Sequence, residues 1–118
     1  MNILAIDPGS QCGWSYRDAR GNHTSGVWCL KGGRHEGGGM RFVRLRGYLN
    51  EIRRTYPIDV VAYEEVASHK GTAASHIYGG VVAVLSEFCE AEGLPYQGVP
   101  VGTIKRVLTY FTHRTPTE

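Results

Sequence analysis

The sequence predicts an α/β domain, a mixed β-sheet with helices packed on it. Three observations predict it. The apolar run Ile3-Leu4-Ala5-Ile6 is continuous rather than alternating and stops on Asp7, the pattern of a strand covered on both faces. Two later segments carry apolar residues at helical spacing, and each leads into a further strand-like run. Between the first strand and the first helix lie two strand-like segments joined by a turn, which suggests an antiparallel meander. The expected order is β-β-β-α-β-α-β-α.

The first strand covers 2–7, and Pro8, Gly9 and Ser10 turn the chain at once. Gly13 to Arg17 forms the second strand, Asp18 to Asn22 a hairpin turn, and His23 to Leu30 the third strand. Gly32 to Gly39, with five glycines, cannot hold a regular element and is expected to be a flexible connection. No Gly-Lys-Ser/Thr follows it, so it is not a phosphate loop.

The spacing of Phe42, Leu45, Leu49, Ile52 and Tyr56 predicts a helix over 40–56, ended by Pro57. Asp59 to Val66 is the next strand. Thr72 is placed to cap a second helix running to about Glu92, with Ile77, Val81, Val84, Leu85 and Phe88 as its packing face. Gly79-Gly80 inside that helix suggests close approach of another backbone. Gly93 and Pro95 stop it. Tyr96 to Val101 is a last strand, leading to a short helix at Ile104 to Tyr110 and an aperiodic tail.

A chain of 118 residues suits one domain, and 42% hydrophobic residues suffice to offset chain entropy. The net charge of +2 is too mild to argue for nucleic acid alone. Cys12, Cys29 and Cys89 contain no CxxC pair, so a structural zinc site is not expected and all three suit reduced, packed thiols. No secretory signal and no membrane-length apolar run is visible, which points to a soluble, intracellular protein.

The chemistry lies in two acids. Asp7 and Glu64 both sit near the C-terminal ends of strands that look buried, where ligand sites form in open α/β sheets. In the 59–66 strand, Val60, Ala62 and Glu64 share one face and Val61, Tyr63 and Glu65 the other. If the two strands are neighbours, Asp7 and Glu64 face each other. Paired carboxylates repel, and a divalent cation between them removes that cost, with oxygen donors selecting Mg²⁺ or Mn²⁺. The plainer reading has Asp7 capping its own turn and Glu64 solvated at a strand end.

The segments "ILAIDPGSQCGWS" (3–15), "VVAYEEV" (60–66) and "YQGVPVGTIK" (96–105) together resemble the ribonuclease-H-like superfamily, specifically RuvC-type Holliday junction resolvases and their phage relatives. The resemblance covers roughly 1–105. It implies a single ribonuclease-H-like domain over 1–118 and Asp7 and Glu64 as ligands of two Mg²⁺ ions. It also implies a homodimer that cuts four-way junctions in DNA recombination and repair, in the cytoplasm of a bacterium or phage-infected host. Glu65 is a weaker choice than Glu64.

Beyond "TIK" the family continues into a final helix with one or two further acids. Here 106–118 diverges, and the only acid after Glu92 is Glu118. Either the chain is truncated or frame-shifted, or another group such as His113 completes the site. Expected phosphate contacts are Lys70, Lys105 and Arg106, which flank the site, with His69 beside them. Arg41, Arg44, Arg46, Arg53 and Arg54 concentrate charge on the first helix, where ordinary solvation is favoured over a DNA contact. Two functions stay open: a metal-dependent junction endonuclease, and a relative that binds DNA or dimerises without cutting. An ATP-binding fold of the sugar-kinase type is distant, because no second phosphate-binding Gly motif follows.

Overall fold

The computed structural model describes residues 1–66 and 71–100. The elements are β1 (Ile3–Asp7), β2 (Gln11–Arg17), β3 (His23–Cys29), α1 (Met40–Thr55), β4 (Val60–Glu65), α2 (Thr72–Glu92) and β5 (Tyr96–Pro100). They follow the expected order. The expected short helix at Ile104 to Tyr110 lies outside the described residues.

The strands form one sheet in the order β3-β2-β1-β4-β5. β1, β2 and β3 are an antiparallel meander, while β4 runs parallel to β1 and β5 parallel to β4. The turn between β2 and β3 closes through Asp18, whose carboxylate accepts from the N–H groups of Arg20 and Asn22, each at 2.9 Å. Against desolvation, which raises it, the Asn22 side-chain amide donating at 3.2 Å, followed by those backbone bonds and the Arg20 charge, holds the Asp18 carboxyl below its usual range. Gly21 takes φ +89°, which a residue with a Cβ rarely adopts.

α1 and α2 lie on the same face of the sheet. Leu4, Ile6, Cys12, Tyr16, Trp28 and Val61 join Leu45, Leu49, Ile52, Val81, Leu85, Phe88 and Cys89 in one buried cluster. Phe42 and Tyr56 extend the α1 stripe as half-buried contacts. The strand aromatics pack rather than protrude: Trp14 stacks on Trp28 at 5.5 Å, and Trp28 on Tyr48 at 5.4 Å. The Tyr16 hydroxyl donates to the Pro57 carbonyl at 2.6 Å, tying β2 to the segment that leads from α1 into β4.

Three local expectations need correction. Thr72 does not cap α2: the N-cap is Gly71, φ +91°, with no side-chain cap bond, so the backbone conformation, not a hydroxyl, starts the helix. The Gly79-Gly80 pair does not meet another backbone. A Cβ at Gly80 would overlap the Phe42 ring, while one at Gly79 would meet nothing within 4 Å. Cys29 is exposed, unlike buried Cys12 and Cys89, because it ends β3 on the face away from the helices. The C-terminus of α2 follows expectation: Gly93 is left-handed at φ +69°, and the Leu94 N–H donates to the Cys89 carbonyl at 2.8 Å.

Candidate active site

Asp7 is the last residue of β1 and Glu64 the penultimate residue of β4. The β1–β4 register pairs Ala5 with Ala62 and Ile6 with Tyr63, so one further step sets Asp7 opposite Glu64. Residues directly opposite in a parallel pair share a face, and neighbouring strands lie about 4.8 Å apart. Leu4, Ile6 and Val61 belong to the core cluster under the helices. The alternate residues Ala5, Asp7, Ala62 and Glu64 therefore lie on the other face. By that extension the two acids proposed from the sequence fall on one face of neighbouring strands. Glu65 points to the helix side, where it lies against Gly98 and is exposed.

The surroundings of these acids are small. Asp7 pairs with Gly13 of β2, and a Cβ there would come 3.6 Å from the Asp7 Cβ. Ala5 and Ser15, one step below, are buried. Glu64 is itself 5% exposed, which sets it apart from a solvated strand-end carboxylate. Cys12, beside Gly13, has its thiol pushed up to about 12, first by burial and then by the Asp7 charge, against a lowering hydrogen bond from Gly9.

Oxygen donors of this kind fit a hard divalent cation. They supply two side chains: among the described residues no group of three or more His, Cys, Asp or Glu gathers to hold a metal. Lys70, Lys105, Arg106, His69, His113 and Glu118 all lie outside the described residues. A cleft of about 300 Å³, lined by Trp14, Trp28, Tyr48 and Tyr56 among others, opens between α1 and the sheet, away from the acids.

The arginines of α1 mostly face acids. Arg46 pairs with Glu87 at 2.7 Å and Arg53 with Glu92 at 3.2 Å, both across to α2, and Arg44 pairs with Glu36. That last pairing, with the Gly33 N–H, holds the Glu36 carboxyl below its usual range.

Sequence reasoning missed Gly13 and Tyr78. Gly13 gives no signal until its strand partner is known. Tyr78, on α2, donates its hydroxyl to the Glu64 carbonyl at 3.0 Å and accepts from the Val66 N–H at 3.2 Å. The one hint of its role in the sequence is Pro8 directly after Asp7, which removes a ladder donor beside Glu64.

Three antiparallel strands, two parallel ones and helices on one face, with acids on two central strand tips, define a ribonuclease-H-like fold. The fold is that of the RuvC-type Holliday junction resolvases. The chain is similar to T. thermophilus RuvC in complex with a Holliday junction substrate, with TM-score 0.75 and 18% identity over 92% of this chain and 69% of that one. It is similar also to Thermus thermophilus RuvC described by itself, with TM-score 0.68 and 18% identity, covering 98% of this chain and 73% of that one. A third similar structure is the yeast mitochondrial Holliday junction resolvase Ydc2, with TM-score 0.56 and 12% identity over 93% of this chain and 57% of that one. No family model and no curated protein matches the sequence.

Proposed function

We propose that this chain is a divalent-metal-dependent endonuclease for branched DNA, acting on four-way junctions as a homodimer. The reading is supported by the parallel pairing of β1 with β4, whose register, extended one step past Ile6 and Tyr63, puts Asp7 and Glu64 on one face. Asp7 and Glu64 would hold Mg²⁺ or Mn²⁺, which when bound supplies Lewis-acid charge to a phosphodiester and lowers the pKa of a water. The protein's own contribution is orientation. Both carboxylates ride on central strands whose backbones are fixed by neighbours on either side. The small residues Ala5, Gly13 and Ala62 leave the acids room on that face. Lys70, Lys105 and Arg106 are proposed to offset phosphate charge and set the register of the DNA backbone.

A second reading is a relative that binds junction DNA or dimerises without cutting it. It rests on the donor count: among the described residues no third His, Cys, Asp or Glu joins Asp7 and Glu64.

Labelled four-way junction incubated with protein and Mg²⁺, beside Asp7→Asn, separates the two. Cleavage by the wild type and a loss of about a hundredfold or more in the variant support the nuclease. Junction binding by both proteins with cleavage by neither supports the second reading.

A further inference from the structure

The strand end that carries Glu64 has a gap in its hydrogen-bond ladder, and a helix side chain fills it. Backbone groups along a strand point alternately to its two neighbours. On β4 the Val60 N–H donates to the Asn2 carbonyl on the β1 side, at 3.3 Å, and the Val61 N–H to the Pro95 carbonyl on the β5 side, at 2.9 Å. By the same alternation the Glu64 carbonyl and the Val66 N–H point toward β1. One residue past Asp7, the β1 chain at that place is Pro8, which carries no N–H. The Tyr78 hydroxyl takes over both bonds, donating to the Glu64 carbonyl at 3.0 Å and accepting from the Val66 N–H at 3.2 Å.

From this geometry we infer that Tyr78 is a positioning residue for the Glu64 carboxylate. The inference rests on the proposed use of Asp7 and Glu64 as metal donors. A strand end without its ladder bonds frays, and a slip of one residue turns each side chain to the opposite face. On β4 such a slip exchanges Glu64 for a neighbour and removes half of the donor pair. The Tyr78 hydroxyl resists this by making the bonds that a further ladder residue of β1 would make. It reaches Glu64 through the backbone and needs no contact with metal or DNA.

The test measures Mn²⁺ binding by electron paramagnetic resonance, with thermal melting in parallel, for the full chain and three variants. Tyr78→Phe keeps the ring and removes the hydroxyl. Tyr16→Phe is the control, because it removes a hydrogen bond of the same kind in the segment that leads into β4, to the Pro57 carbonyl. Asp7→Asn tests the site itself. The expected result is a Mn²⁺ dissociation constant raised about fivefold in Tyr78→Phe, on the scale of one lost hydrogen bond. Amide exchange at Val66 quickens in the same variant, while Tyr16→Phe binds Mn²⁺ as the wild type does despite a similar fall in melting temperature. Wild-type Mn²⁺ affinity in Tyr78→Phe, or an equal loss in Tyr16→Phe, overturns the positioning role. Equal Mn²⁺ binding by the wild type and Asp7→Asn removes the acid site itself, and the positioning role falls with it.

Discussion

At the scale of single residues, burial sorts three chemically identical thiols into two kinds. Cys12 and Cys89 sit in the core with no measurable exposure, and Cys29 is exposed. A thiol-specific reagent is expected to label one cysteine per folded chain and three after denaturation. Labelling of two or three in the folded protein would contradict the packing of β2 or α2. Burial, and then the Glu90 charge, push the Cys89 thiol up from 9.0 to about 11. As pH rises through that window the unfolded chain loses the proton first, so the unfolded state is favoured and stability falls. Urea midpoints measured across it are expected to decline in the wild type and to decline less steeply in Cys89→Ala. The composition could suggest packed thiols but not which one stays outside, because that depends on where β3 ends and on which face its last side chain falls.

At the scale of elements, two adjacent glycines of α2 are expected to respond with opposite sign. Gly80 faces the Phe42 ring of α1, and a methyl group there overlaps it. Gly80→Ala is expected to cost about 1–3 kcal/mol by overpacking the contact between the helices. Gly79 meets nothing within 4 Å, so Gly79→Ala gains helix propensity and is expected to stabilise by about 1 kcal/mol. Urea denaturation of both variants decides the matter, and two effects of the same sign would mean that the α1–α2 packing is misassigned. Helical periodicity was enough to find α1, α2 and their buried stripes. It could not say that the approach at Gly80 is made by a ring rather than a backbone, since periodicity gives the inward face of a helix and not its partner. The strands were readable for a related reason. An unbroken apolar run such as Ile3 to Ile6 marks a central strand, and an acid ending such a run marks a candidate site. The pairing of β1 with β4 was a conjecture from the sequence, because parallel neighbours are chosen by tertiary packing.

At the scale of the whole molecule, charge and topology divide the work between two faces. Among the described residues, α1 and α2 with their arginines lie on one face of the sheet, and Asp7 and Glu64 lie on the other. From the sequence, the five arginines concentrate positive charge on α1, with ordinary solvation favoured over a DNA contact. In the fold, Arg46 and Arg53 are spent on Glu87 and Glu92 of α2, and Arg44 on Glu36. An arginine already paired with a carboxylate must give up that partner to bind a phosphate, which cancels most of the gain. Exposed pairs of this kind add at most about 1 kcal/mol to stability, so removing them leaves the fold standing. The Arg46→Gln, Arg53→Gln double variant is therefore expected to bind a four-way junction with wild-type affinity and an unchanged dependence on salt. Lys70→Gln, at a proposed phosphate contact, is expected to weaken binding and to reduce the slope of log K against log[salt] by about one, the signature of one lost phosphate contact. Measuring junction affinity at several salt concentrations, without divalent metal, isolates this term from cleavage. A slope reduced by the arginine pair and untouched by Lys70→Gln would put the DNA on the helix face, and the acids at the tips of β1 and β4 could then not reach the strand to be cut.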